Sequence, residues 1–195
     1  MDSTFVVGID VGGQTSKLGV VDARGAVLAQ TVIRTDTYSE VEPYIAELAE
    51  AVKKIIRESG TEGKVRGIGG GAPNGNYYTG TIENAPNLLW GRQRVEFAKL
   101  LSEAMDGLPV ALTNDANAAA VGEMTYGAAR GMKNFIMITL GTGVGSGIVI
   151  NGEVVYGHDG FAGELGHVAA VRNNGRTCGC GKTGCLETYA SATGV

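Results

Sequence analysis

Positive charge is in short supply. Sixteen lysines and arginines stand against 20 acidic residues, a formal net charge of −4 at pH 7 with a pI near 5.2. Such a chain has no large positive field to attract nucleic acid or anionic lipid, and no local basic patch is evident. Long apolar runs are missing as well: nothing approaches the roughly 18 uninterrupted apolar residues of a membrane span. The opening Met1-Asp2-Ser3-Thr4 lacks the basic and apolar regions of a signal peptide. The expectation is a cytoplasmic protein with neither membrane nor nucleic acid as a partner. Cysteine is scarce too, and its three copies all fall between positions 178 and 185. An odd number in one short stretch argues against a disulfide framework and for metal or thiol chemistry.

What is present fits a folded domain. The 195 residues are 44% hydrophobic and 18% charged, with mean hydropathy +0.06, enough to bury a core and too apolar for a disordered chain. Glycine is the anomaly: 32 residues, about 16% where roughly 7% is usual. The glycines cluster at 12–13, 67–71, 141–147 and 175–184, between apolar runs, so they mark places where the backbone turns sharply or approaches something closely.

The β-branched run Phe5 to Asp10, the pair Gly12-Gly13 and the run Ser16 to Asp22 predict a hairpin with a glycine turn. A second turn at Asp22 to Gly25 leads into Val27 to Arg34, giving a meander of three antiparallel strands. A helix follows, with Pro43 and acids near its start, Ile45, Leu48, Val52, Ile55 and Ile56 at spacings of three and four, and Gly60 as its stop. Then come a strand over Val65 to Gly69, a glycine and proline loop containing Asn74-Gly75, a helix over Val95 to Met105 and a strand over Pro109 to Thr113. An alanine-rich helix over Ala116 to Tyr126 begins directly after Asp115. Asn134 to Leu140 and Gly145 to Ile150 form a second glycine hairpin of the same design as the first. The repetition predicts two similar lobes, over 1–113 and 114–195.

Asp10, Gly12, Gly13, Gln14 and Thr15 lie at a strand end, where a tight turn exposes N–H groups able to cradle a phosphate. Asp10 could hold Mg²⁺ through water and Thr15 could donate to a phosphate oxygen; an ordinary hairpin turn has the same sequence pattern. Gly141, Thr142 and Gly143 repeat the arrangement. Cys178, Cys180 and Cys185, with His167 upstream, offer a Cys₃His set, a closed tetrahedral site for structural Zn²⁺. Reduced structural cysteines would be expected among apolar neighbours rather than glycine, lysine and threonine. Asp115 sits at a strand-to-helix junction, where a simple N-cap would serve equally well. Glu164 and His167 would share one face of a helical segment, and Glu187 directly follows the cysteine loop.

The motifs GIDVGG, GGGAPN, NDANAAA, LGTGVGSGIV, GELGH and CGCGKTGCLE, in that order along the whole chain, resemble the ROK family of sugar kinases and sugar-responsive repressors, most closely its glucokinase-type members. The resemblance implies an α/β actin-like ATPase fold, related to ribonuclease H, with two similar lobes built on mixed sheets. It implies ATP-dependent phosphorylation of a hexose, at the C6 hydroxyl, with Mg²⁺. Asp115 then matches the catalytic base. Asn114, Glu164, His167 and Glu187 match residues that hold the sugar, Gly71 and Asn87 fall in segments lining its pocket, and His167, Cys178, Cys180 and Cys185 match a zinc set. The two glycine hairpins match phosphate-binding turns.

Two departures accompany the resemblance. Gln14 stands where the family carries Thr, with Thr15 one place later. Members also continue well past the cysteine motif, whereas this sequence stops at Val195. That implies an incomplete second lobe, weak ATP binding, little activity, and apolar surface around Asn134 to Val155 that favours homo-oligomers. Two rivals are a sugar-binding transcriptional regulator of the same family and a non-catalytic actin-like protein. The first would need a helix-turn-helix ahead of the first strand, where only Met1 to Thr4 stand, and the second would need no cysteine loop.

Overall fold

A computed structural model describes residues 4–195. The chain divides into two compact units, Met1–Asp115 and Ala116–Val195, two residues later than the boundary read from sequence.

The first unit opens with the meander. Strands β1 (Phe5–Val11), β2 (Thr15–Asp22) and β3 (Val27–Arg34) pair antiparallel in sequence. Helix α1 (Val41–Glu58) then returns the chain so that β4 (Val65–Ala72) lies parallel to β1. Helix α2 (Phe97–Ala104) does the same for β5 (Val110–Asn114), parallel to β4. The sheet order is β3-β2-β1-β4-β5, as expected when a hairpin needs only a tight turn and a parallel step needs a helical crossover.

Alternation along β1 sends Val7, Ile9 and Val11 inward and leaves Val6 and Asp10 exposed. The inward residues meet the apolar stripe of α1, where Tyr44, Ile45, Leu48, Val52 and Ile55 are buried, together with Phe97 and Leu101 of α2. Each fully buried aliphatic side chain contributes about 1.5–3 kcal/mol, and this cluster holds β1, β4 and β5 in register.

Two expectations shift. Helix α2 starts at Phe97, because the backbone of Val95 is paired with Ile82 in an isolated bridge. Helix α3 (Asp115–Tyr126) takes Asp115 as its first residue, so Asp115 is not the residue ahead of the helix as the capping reading assumed.

In the second unit β6 (Phe135–Leu140), β7 (Val144–Ile150) and the two-residue β8 (Glu153–Val154) form an antiparallel sheet in the order β6-β7-β8. On β6, Ile136, Ile138 and Leu140 share a face and are exposed. A 3-10 turn at Leu165–His167 and a short helix α4 (Glu187–Ala190) complete the unit. The Glu164–His167 segment is thus a single tight turn rather than a length of helix. No helix among the described residues is long and apolar enough to cross a membrane.

Candidate active site

Parallel strands β1, β4 and β5 end together, and ligands of open α/β sheets gather at such carboxyl ends. Asp10 pairs in register with Gly71, Gly71 with Thr113, and Ala72 with Asn114. Asp10, Gly71, Asn114 and Asp115 are therefore brought to one edge of the first sheet. Asp10 and Asp115 are exposed there, Asn114 is half-buried and Gly71 is buried.

The turn between β1 and β2 borders this edge. Gly12 N–H donates to the Thr15 carbonyl at 3.0 Å. A Cβ on Gly12 would stand 2.7 Å from that carbonyl oxygen, and one on Gly13 would stand 2.8 Å from the Asn87 carbonyl oxygen. Neither position can hold a side chain without displacing backbone, so the turn offers main-chain groups, as a phosphate cradle requires. Gln14 is exposed at its tip, and Thr15 already belongs to β2, paired with Arg34.

Asn87 is exposed, with its main chain against Gly13. Its loop is tied down by backbone bonds from Leu88 to Ala85 and from Ala85 to Gly91. Upstream, the Asn74 amide donates to the Glu83 and Asn84 carbonyls. A larger cleft of about 590 Å³ in this unit lies between the start of α1, Trp90 and α2, and contains none of the residues singled out above.

The second unit gathers the rest. Between β6 and β7, Gly141 N–H donates to the Gly143 carbonyl at 3.0 Å, and Thr193 Oγ1 donates to the Thr142 carbonyl at 2.9 Å. A Cβ on Gly143 would come within 2.9 Å of Glu187 Oε2, so the Glu187 carboxylate rests against this turn because residue 143 has no side chain. Ser146 Oγ donates to the Gly163 carbonyl and accepts the Leu165 N–H, which fastens the Glu164–His167 segment to β7. A cleft of about 310 Å³ beside the turn is lined by Thr142, Arg176, Glu187, Thr188, Ser191 and Thr193.

His167, Cys178, Cys180 and Cys185 each offer one ligand atom, and all four atoms lie within 4.8 Å of one another. Cys180 and Cys185 Sγ are 3.7 Å apart, and Cys178 Sγ is 3.6 Å from His167 Nδ1. A tetrahedron with metal–sulfur bonds of about 2.3 Å has edges of about 3.8 Å, so the donor set fits a four-coordinate zinc ion. Glu187 Oε1 accepts from Cys178 Sγ at 3.0 Å and lies 3.6 Å from His167 Nδ1, a carboxylate at the rim of the donor set. Burial pushes the Cys178 thiol up to about 12 and also raises Cys185, while the Lys182 N–H lowers the exposed Cys180. Two thiols held protonated by desolvation are groups whose ionisation a bound cation would drive.

Sequence reasoning missed Arg176. Its N–H donates to Tyr189 Oη at 2.8 Å and its guanidinium donates to the Thr188 and Gly194 carbonyls, 4.9 Å over the Tyr189 ring. It thereby ties the cysteine loop to α4, which carries Glu187. No sequence signal marked it beyond its place two residues ahead of Cys178.

The sequence model of the ROK family matches residues 6–195. The chain belongs to the ROK family. This ROK chain is 43% identical, over its whole length, to a glucokinase from Halalkalibacterium halodurans, of which it covers 59%. A crystal structure of a ROK family glucokinase from Streptomyces griseus, in complex with glucose and AMPPNP, superposes with a TM-score of 0.81 at 36% identity, over 97% of this chain and 58% of that one. A xylose repressor from Caldicellulosiruptor bescii is 31% identical over 97% of this chain and 47% of its own length. The chain thus spans less than two thirds of these relatives. The mixed α/β architecture is that of the ROK glucokinases, which have the actin-like ATPase fold.

Proposed function

We propose that this chain carries the base, both phosphate turns and the sugar-holding residues of a cytoplasmic, homo-oligomeric, ATP-dependent hexose kinase of the glucokinase type. The observation that carries the reading is the meeting of Asp10, Gly71, Asn114 and Asp115 at the carboxyl ends of three parallel strands, beside a turn whose glycines leave only main chain exposed. The glucokinase relatives, one solved with glucose and AMPPNP, support the same activity.

Asp115 accepts the proton of the sugar C6 hydroxyl as that oxygen attacks the γ-phosphorus. The new C6 O–P bond forms as the bond from the γ-phosphorus to the bridging oxygen breaks, and ADP leaves with those electrons. In the first unit Asn114 and Asn87 are the groups offered to sugar hydroxyls, with Gly71 as pocket wall; in the second unit Glu164, His167 and Glu187 are the groups with that role. In the Gly12–Thr15 and Gly141–Gly143 turns, the amides other than those of Gly12 and Gly141, which donate within their own turns, are the groups offered to phosphate, already oriented and so without reorganisation cost during transfer. Asp10 is the residue that would hold Mg²⁺, which supplies charge neutralisation on the polyphosphate. A structural zinc ion on His167, Cys178, Cys180 and Cys185 would cross-link the loop beside Glu187.

The test is ATP consumption across a panel of hexoses, with NMR assignment of the phosphorylated carbon. ADP release that requires glucose, with 6-phosphate as product, is the expected result for a chain extended past Val195 to the length of its relatives; glucose binding by that longer chain without sugar-dependent ADP release would overturn it. The xylose repressor relative supports a second reading, a sugar-binding transcriptional regulator. Sugar-dependent binding to operator DNA in place of turnover would favour it, whereas the kinase reading expects no nucleic-acid partner.

A further inference from the structure

Beneath the first phosphate turn lies a buried polar cluster that the mechanism does not use. Ser16 follows Thr15 at the start of β2, and its Oγ is 2.8 Å from Thr35 Oγ1 and 2.7 Å from Tyr44 Oη. The three residues are 0%, 1% and 0% exposed. A hydroxyl buried away from water is costly unless bonded, and here each one satisfies another. The strand pattern alone would favour an apolar residue at position 16, since Leu18 and Val20 on the same face of β2 are buried in the core.

The cluster reaches the turn from two sides. Thr35 N–H, on the residue whose hydroxyl bonds Ser16, donates to the Gln14 carbonyl at 2.9 Å, with Asp36 N–H also directed at it at 3.4 Å. The Tyr44 ring stacks on Trp90 at 4.8 Å between centroids. Trp90 belongs to the loop that presents the Asn87 carbonyl to Gly13. One residue of α1 is thus linked both to the base of the turn and to the loop that walls it.

We infer that Ser16, Thr35 and Tyr44 are positioning residues that hold the Gly12–Thr15 turn in its phosphate-ready shape. The functional part of this inference rests on the kinase reading. Without the cluster the turn still closes, but its amides sample other orientations and the preorganised contact with phosphate weakens.

Two variants probe it, each in the whole chain. Ser16→Ala removes the central hydroxyl, and Tyr44→Phe removes one hydroxyl while keeping the ring on Trp90. The first readout needs no ligand: amide hydrogen exchange by NMR. Faster exchange, by about 2- to 10-fold, is expected at Gly12, Thr35 and Asp36, with the β4 amides Gly70 and Gly71 unchanged. A purely structural role would accelerate all of these amides alike, and that result, or no change anywhere, overturns the inference. The second readout is Mg·ATP and glucose affinity by calorimetry. A 3- to 10-fold loss for Mg·ATP with glucose affinity kept is expected, and equal losses for both would also overturn it. If the unmodified chain binds neither ligand, the kinase reading fails, while the exchange data still decide whether the cluster holds the turn.

Discussion

Replacing Gly13 by alanine puts a methyl carbon 2.8 Å from the Asn87 carbonyl oxygen and 3.4 Å from Asn87 Cβ. Ordinary contact begins near 3.4 Å, so something must retreat by about 0.6 Å. Neither side moves easily. The turn is held by Gly12 N–H on the Thr15 carbonyl and Thr35 N–H on the Gln14 carbonyl. The Asn87 loop is anchored by Ala85 and Leu88, both fully buried. Overpacking of this kind costs about 1–3 kcal/mol. Alanine also stiffens the unfolded chain, returning about 0.4–1 kcal/mol, which leaves a net loss of about 1–2 kcal/mol. Gly13 is not among the residues with positive φ, so the contact alone decides the sign. Gly8→Ala on β1 is the matched control, because a Cβ there meets nothing within 4 Å. Trp90 is the sole tryptophan, 7% exposed, and reports unfolding of the first unit by its fluorescence. In urea, Gly13→Ala should lower the midpoint at constant slope while Gly8→Ala leaves it unchanged or slightly raised. A Gly13→Ala midpoint equal to the control's would refute the steric account of the turn.

Three further outcomes are expected. In a chain extended past Val195 that turns over glucose, Asp115→Asn should lower kcat by roughly 10²–10⁴ with sugar affinity nearly unchanged, and a coupled assay with parallel glucose titration checks it; full kcat would reduce Asp115 to a helix-terminal residue. Elemental analysis should find one zinc per chain, and Cys180→Ser should lose the metal and weaken glucose binding together. Cys180 is exposed, so this change opens no core cavity, and sugar binding undiminished in zinc-free protein would contradict it. Burial raises the Tyr44 phenol to about 12 from 10, so the native state keeps that proton after the unfolded chain has lost it. Stability present below pH 10 should therefore fall between pH 10 and 12 by up to about 1.4 kcal/mol per pH unit. Tyr44→Phe should flatten that decline in urea titrations, and an identical decline in both proteins would exclude Tyr44 as its source.

What the sequence disclosed and what it hid divide by the reach of each interaction. The hairpins were legible because a glycine pair between β-branched runs is a signal contained within about a dozen residues, and α1 because its stripe repeats locally. Val95 shows the limit. Its side-chain spacing fits the helix that begins two residues later, yet its N–H and carbonyl are committed to Ile82, 13 residues upstream. Periodicity registers where side chains point and is silent about which backbone a distant segment will claim.

The site divides the same way. Three cysteines within eight residues announce a ligand cluster on their own, whereas the pairing of Glu187 with both Cys178 and the Gly143 turn depends on how that loop closes. Ser16 was least legible of all, because a serine beside Thr15 and Lys17 reads as one more polar residue near a turn. Its partners stand 19 and 28 positions away, and only the crossover of α1 onto the sheet brings Tyr44 to it. A buried hydroxyl needs a partner, and in this chain the position of Thr35 and Tyr44 in the fold, rather than the neighbours of Ser16 in sequence, decides that the hydroxyl beside the Gly12–Thr15 turn is satisfied.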